Sequence, residues 1–280
     1  MQIIVAEHAG VCYGVERALN LAEEAATGGG AVHTLGPLIH NPQVVAGLTE
    51  RGVTVADSVD EVTGGTLVIR THGVDPARIE SALGKGLSVV DATCPFVSTA
   101  QRHAAELAAS GYTVVIVGEA DHPEVEGILA NAGGRALVVG HPEDLPGRLP
   151  SRRVGVVVQT TQSASRLADV VAALVPNVNE LRVFNTICSA TAKRQLAADD
   201  LARRVDVMIV VGGRNSGNTT RLAEICGAVN ARVHHVESPS ELKSEWFAGA
   251  VTVGVTAGAS TPDGQIEDVI SAMKAIAGDD

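Results

Sequence analysis

Aromatic side chains are nearly missing from this 280-residue chain: one Trp, two Tyr and three Phe, 2% of the residues. Although 45% of the chain is apolar, its core must therefore be built from Val, Ala, Ile and Leu. That bias suits parallel strands covered by helices on both faces, which read as continuous β-branched runs. Long apolar runs are missing too. No stretch approaches the roughly 20 residues needed to cross a bilayer. The start, MQIIVAEHAG, has neither the basic region nor the long apolar run of a signal peptide. The expectation is a soluble, cytoplasmic protein with no membrane partner. Basic residues are outnumbered 21 to 32, and the net charge of −11 opposes general nucleic-acid binding. It leaves room for an anionic small substrate, which local donors would decide. Cysteine is sparse as well, with four in all and no C-x-x-C pair. A local zinc knuckle or a thioredoxin-type motif is not supported, and cytosolic thiols rarely form disulfides. If these thiols share a metal, the fold must bring them together from far apart.

What is present is an alternation of strand and helix signals, in a length that allows one large core or two or three small ones sharing a centre. Strands are expected at Gln2–Ala6, Leu67–Thr71, Leu87–Asp91, Thr113–Gly118, Val154–Gln159, Leu181–Phe184, Asp206–Val211 and Val251–Val255. Helix-period stretches such as Gly14–Ala26, Val97–Ala109 and Ala190–Arg204 lie between them. Aligned on its cysteines, the chain repeats three times. Cys12, Cys94 and Cys188 each follow a short apolar run and precede a helix pattern. Twenty-eight residues after each cysteine stand His40, His122 and Ser216. A further strand in each repeat ends in polar residues, which places His72, Thr160 and Ser260 at 60, 66 and 72 residues after the cysteines. Three α/β units with mostly parallel sheets around a pseudo-threefold axis follow, spanning 13–94, 95–188 and 189–280. The third, which ends after the helix pattern Ile266–Ala277, lacks a last strand that segment 1–12 would supply. Ligands of open parallel sheets bind beyond the C-terminal ends of the strands. All nine marked positions lie there, so they can converge on one pocket.

A lone free cysteine is usually a small core residue, and Cys226, inside TTRLAEICGA, is read so. The recurrence of Cys12, Cys94 and Cys188 points instead to a shared metal. Three thiolates suit an iron–sulfur cluster better than a hard cation, with zinc plus a water as the lesser alternative. On a cubane, three cysteines leave one iron open for Lewis-acid chemistry. His40, His72 and His122 at strand ends suit donors to an anion, while His8, His33, His103, His141, His234 and His235 are read as ordinary core or surface residues. Glu124, two residues after His122, would usually be an acidic first-turn residue. Facing a cluster and a substrate, it becomes the best proton donor available. GGRNSGNTTR follows a strand and opens a helix, so its amides with Ser216 and Asn218 form a phosphate cradle. It matches neither the Walker nor the dinucleotide fingerprint.

Taken together, AGVCYGVERA, PLIHNPQV, RTHGV, VDATCP, HPEVEG, QTT, FNTICSATAKRQ, GGRNSGNTTRL and GVTAGASTP run in order from residue 9 to residue 262. In this the chain closely resembles the LytB/IspH family, which reduces 4-hydroxy-3-methylbut-2-enyl diphosphate in the non-mevalonate isoprenoid pathway. The resemblance implies one 4Fe-4S cluster on Cys12, Cys94 and Cys188, its open apical iron taking the substrate hydroxyl. It implies that His40, His72, His122, Ser216, Asn218 and Ser260 hold the diphosphate and that Glu124, helped by Thr160, relays protons. Electrons would arrive singly from a ferredoxin or flavodoxin, water would leave, and isopentenyl and dimethylallyl diphosphates would form. The sequence departs from many relatives at Gly217, where they carry a second serine; a hydroxyl donor is replaced there by at most a backbone amide.

Two other readings compete. A quinolinate synthase-like lyase would use an open iron for dehydration without external electrons, but HPEVEG and NSGNTT favour the reductase. A zinc- or cluster-holding protein without catalysis would have no use for Glu124. Replacing any one of Cys12, Cys94 or Cys188 with Ser is expected to abolish stable cluster and turnover together, checked by iron content and activity after anaerobic purification. Wild-type iron in one variant would remove that residue from the ligand set. Cys226→Ser is expected to keep the cluster, at a packing cost of about 1–2 kcal/mol.

Overall fold

The computed structural model describes residues 1–278; Asp279 and Asp280, at the end of the expected third unit, lie outside the described residues. The chain begins with β1 (Gln2–Val5) and α1 (Tyr13–Thr27). Next come β2 (Val32–Leu35), α2 (Pro42–Glu50), β3 (Val53–Ala56), β4 (Thr66–Ile69), α3 (Pro76–Gly84) and β5 (Ser88–Asp91). The following stretch holds α4 (Pro95–Ala109), β6 (Thr113–Val117), α5 (Pro123–Asn131), β7 (Leu137–Val139), β8 (Arg153–Val158), α6 (Ala164–Leu174) and β9 (Glu180–Val183). The last holds α7 (Ser189–Ala202), β10 (Val207–Val211), α8 (Gly217–Gly227), β11 (Val233–Val236), β12 (Thr252–Ala257) and α9 (Asp263–Ala277).

These strands form three four-stranded sheets, ordered β3-β2-β4-β5, β7-β6-β8-β9 and β11-β10-β12-β1, with every pairing parallel. One order thus recurs three times. In the third sheet β1 takes the fourth place, in register with β12 from Gln2↔Thr252 to Val5↔Val255. The protein has two compact units by packing. One comprises Met1–Val15, His40–Gln43 and Ser189–Asp280, and so carries the β11-β10-β12-β1 sheet. The other comprises Glu16–Ile39 and Val44–Cys188, and carries the other two sheets.

The β-branched bias explains the cores. Val207, Met208, Ile209, Val210 and Val211 of β10 are all fully buried, as are Val156, Val157 and Val158 of β8. A strand with both faces covered needs side chains that fill space next to a pleated backbone without polar atoms, and each such burial stabilises by about 1.5–3 kcal/mol. Helix starts are written locally. Proline, whose missing N–H is harmless in a first turn, opens α2, α3, α4 and α5. Asp75 caps α3 by accepting from the Ala77 N–H at 2.9 Å. Some helices end at a glycine with positive φ, as α9 does at Gly278, with φ 72°.

A small-for-large exchange links helix to sheet in two of the repeats. Leu107 of α4 and Leu201 of α7 each stand thirteen residues after their cysteine, and each packs over a glycine in the third strand of its sheet. A β-carbon on Gly155 would lie 2.4, 2.6 and 2.8 Å from three carbons of the Leu107 side chain. One on Gly254 would meet Met208 Sδ at 2.7 Å and Leu201 Cγ at 3.0 Å. Replacing Gly155 with Ala is therefore expected to destabilise by about 1–3 kcal/mol, since overpacking outweighs the ordinary gain from removing glycine. Leu107→Ala should remove the conflict. Denaturant unfolding of the two single variants and the double variant checks this, and the pair should be less damaging than the sum by about 1 kcal/mol or more.

Candidate active site

Every position singled out in the repeat lies in a loop between a strand end and the helix that follows. Within the unit containing Cys94 and Cys188, the most structured feature is the pairing of Glu124 with Thr160. Glu124 is the second residue of α5 and is 1% exposed. Thr160 follows β8, the strand beside β6. The Thr160 N–H donates to Glu124 Oε1 at 2.6 Å, and the Thr160 hydroxyl donates to Oε2 at 2.9 Å. Burial disfavours the charged carboxylate and raises its pKa to about 7, against the pull of both Thr160 bonds; the Glu119 carboxylate pushes the same way as burial. At neutral pH this carboxyl is therefore poised between its two forms.

His122 caps α5, its Nδ1 accepting the Glu124 N–H at 3.1 Å. That bond requires an unprotonated Nδ1 and so puts a neutral ring's proton on Nε2. Burial lowers the His122 pKa, consistent with the neutral form. His72, from the loop after β4, meets the His122 ring edge-on at 5.3 Å. Cys94 is the N-cap of α4, and Cys188 immediately precedes α7. Both cysteines are half-buried, and neither is in a disulfide among the described residues. Arg17 steadies the approach to Cys94 by donating to the carbonyls of Asp91 and Thr93, each at 3.3 Å. Thr186 steadies that to Cys188, where its hydroxyl accepts the Val158 N–H at 2.9 Å.

The other unit carries Cys12, His40, Ser216, Asn218 and Ser260. Cys12 is half-buried and immediately precedes α1. The Ser260 hydroxyl donates to the His40 carbonyl at 3.1 Å. Asn41 holds the same loop from its other side, its Nδ2 donating to the Ser260 carbonyl at 2.8 Å and to Gln265 Oε1 at 3.0 Å. Ser216 caps α8 through the Thr219 N–H at 3.4 Å. Gly213 lets the chain pass beneath this loop, since a β-carbon there would lie 3.0 Å from the His40 carbonyl oxygen. Asn218, one turn position further, is 4% exposed, and among the described residues neither end of its carboxamide has a hydrogen-bond partner.

One bond recurs in all three repeats. The Cys94 N–H donates to the Thr71 carbonyl at 2.9 Å, that of Cys188 to Thr160 at 3.0 Å, and that of Cys12 to Ala259 at 3.1 Å. Matching turns, Gly73 N–H to Arg70, Gln162 N–H to Gln159 and Thr261 N–H to Gly258, close around the acceptors. This register places Thr160 opposite Thr71 and Ala259, so the true counterpart of His72 and Ser260 is Thr161. Counting from the cysteines had paired Thr160 with them. The helix caps shift the first repeat in the same way: Asn41, whose Oδ1 accepts the Gln43 N–H at 3.1 Å, corresponds to His122 and Ser216, and His40 stands one residue earlier. Hydrogen-bond register, not residue count, defines equivalence here.

The LytB protein family model matches residues 3–274. The chain belongs to the LytB family. Among its relatives, the 4-hydroxy-3-methylbut-2-enyl diphosphate reductase of Citrifermentans bemidjiense is 54% identical over 99% of this chain and 98% of the relative. That of Geobacter sulfurreducens is 52% identical over 98% and 97%. A solved (E)-4-hydroxy-3-methyl-but-2-enyl diphosphate reductase, described as the terminal enzyme of the non-mevalonate pathway, is 46% identical with a TM-score of 0.72, over 98% of this chain and all of that one. The Plasmodium falciparum reductase, 24% identical, shares the fold with a TM-score of 0.92 over 98% of this chain and 88% of that chain. The chain is an α/β protein with three parallel sheets, and among its described residues no helix is long and apolar enough to cross a membrane.

Three residues of this region escaped the sequence reading. Asn41 stood inside the quoted PLIHNPQV, and the pattern of a polar residue before Pro at a helix start was the signal for it. Gln159 stood inside the quoted QTT and Gln162 just beyond it, but nothing in a short glutamine pair announces that they are 0% and 2% exposed. A further expectation concerns pH. The Glu124 pKa rises on folding from 4.5 to about 7, so its contribution to stability is fully present below about 4.5 and is lost as pH rises toward 7. Relative to Glu124→Gln, the wild type should lose about 3 kcal/mol between those limits, the folded protein binding the extra proton. Unfolding free energies of both proteins from pH 4.5 to 8 check the sign; a constant difference would contradict it.

Proposed function

We propose that this LytB-family chain reduces 4-hydroxy-3-methylbut-2-enyl diphosphate to isopentenyl and dimethylallyl diphosphates by a two-electron reductive dehydration, the last step of the non-mevalonate pathway. The observation that carries the reading is a carboxyl buried beside a threonine and held near neutrality in its proton affinity, in a chain about half identical over its full length to reductases of that name. The same full-length likeness disfavours a quinolinate synthase-like lyase. The balance of the reaction is simple: the allylic alcohol takes two electrons and two protons, and gives the alkene and water.

Three half-buried cysteines outside any disulfide among the described residues, each at or just before a helix N-terminus, fit a cluster-binding donor set, because the positive end of a helix favours thiolate. Cys12, Cys94 and Cys188 would hold one 4Fe-4S cluster. When bound it would supply electrons singly, taken from a ferredoxin or flavodoxin, and an iron without a protein ligand as Lewis acid. The protein's own groups do the rest. His40, His72, His122, Ser216, Asn218 and Ser260 gather the diphosphate; the neutral His122 offers Nε2–H, and Asn218 offers a buried amide. Glu124 in its acid form gives its proton to the departing hydroxyl, and the Thr160 N–H and hydroxyl then hold the carboxylate left behind. Burial keeps water from competing for that proton.

Anaerobically purified protein is expected to oxidise a reduced viologen only when substrate is present. Glu124→Gln keeps shape and one acceptor but carries no transferable proton. It should retain iron and bind substrate, while turnover falls by a factor of roughly 100 to 10,000. Turnover within a few-fold of wild type would assign the proton to another group.

A further inference from the structure

Two loops carry the proton-donating pair, and one exposed carboxylate joins them. Glu119 lies in the loop between β6 and α5, upstream of His122 and Glu124. Its own carbonyl accepts the His122 N–H at 3.1 Å, which closes that loop. Its side chain reaches the turn after β8, where Gln159 and Gln162 flank Thr160. Gln162 Nε2 donates to Glu119 Oε1 at 2.9 Å, and Gln159 Nε2 donates to Oε2 at 3.1 Å. The Glu119 N–H returns a bond to Gln159 Oε1 at 3.0 Å. Gln159 Nε2 also donates to Thr161 Oγ1 at 3.2 Å, and the Gln162 N–H closes the turn on the Gln159 carbonyl at 3.0 Å. Both glutamines are buried, so their amides depend on these partners.

We propose that Glu119 is a positioning residue for the reaction: its carboxylate clamps the amides of Gln159 and Gln162, and so fixes the turn that presents Thr160 to Glu124. The inference rests on the reading of Glu124 as proton donor. Chemistry makes the carboxylate the right clamp. A carboxylate only accepts, so both amides must turn their NH2 groups toward it, and each amide oxygen is thereby aimed elsewhere. The amide oxygen of Gln159 is what receives the Glu119 N–H. Room for this arrangement comes from Gly118, where a β-carbon would lie 2.8 Å from Gln159 Oε1 and 2.7 Å from Val125 Cγ2. Thr160 makes two bonds to Glu124 from a turn of four residues, so any loosening of the turn lengthens both at once.

Glu119→Gln tests this directly. The substituted amide can accept from one glutamine but sets its own NH2 against the NH2 of the other. We expect faster hydrogen exchange at the Thr160 amide by about tenfold, and kcat lower on the order of tenfold with KM and iron content unchanged. The swapped pair Glu119→Gln/Gln162→Glu restores one acceptor-only group facing two amides, and should return both readings toward wild type. The proposal is overturned if Thr160 exchange is unchanged in Glu119→Gln, if kcat is unchanged although exchange is faster, or if the swapped pair is as defective as the single variant. If Glu124→Gln kept full turnover while the Thr160 amide still answered to Glu119→Gln, the reading of Glu124 would fail and the clamp would stand.

Discussion

The bond on which the rest depends is the one from each cysteine amide to the exit of a neighbouring strand. In all three repeats the third strand of a parallel sheet ends in a tight turn, and a carbonyl in that turn receives the cysteine N–H. Backbone groups leaving a parallel sheet lose their ladder partners and must find others. Using the carbonyl of the adjacent turn satisfies the cysteine amide and sets the start of the following helix in the same step. The cysteine then sits at or beside a helix N-terminus, where the thiolate form is favoured. The same turns carry Thr160, His72 and Ser260, so one backbone device brings a cysteine and a polar strand-end residue together in each repeat.

The second repeat adds a carboxyl to that device. Among the described residues only there does the residue whose carbonyl accepts the cysteine N–H also bond a carboxyl: Thr160, which accepts the Cys188 N–H, holds Glu124 with its own N–H and hydroxyl. Burying a carboxyl is unfavourable when it is charged, and the two Thr160 bonds offset only part of that. The balance leaves the proton affinity near neutrality, which a proton donor at physiological pH requires. Burying the carboxyl costs stability above neutral pH, and the packed strands around β8 and β10 offset it.

Much of the fold was legible. Eight strands fell within about two residues of their expected bounds because their β-branched runs were long enough to stand out, as in TVVIV and RVGVVV. β2, β3, β7 and β11 were not singled out. They are three or four residues long, and VHTL and VHHV carry histidine where a buried strand would show valine. They are strands because a neighbour pairs with them: β7 exists by its register with β6, and β11 by its register with β10. Such pairing is a property of the sheet and leaves little trace in three residues.

By itself the sequence determined the repeat, the family and the chemical types at the strand ends, because apolar runs, cysteines and motif segments are local and survive in one dimension. Only the tertiary structure decided which residues of the repeats correspond, since equivalence rests on hydrogen bonds between loops far apart in the chain. It moved Thr160 opposite Thr71 and Ala259, and it set Asn41 at the cap. It also decided that Glu124 is a buried acid and not an exposed first-turn glutamate, for a glutamate's proton affinity is set by what surrounds it. Those surroundings, a threonine 36 positions away and a second glutamate clamped by two buried glutamines, come together only when β6 and β8 lie side by side.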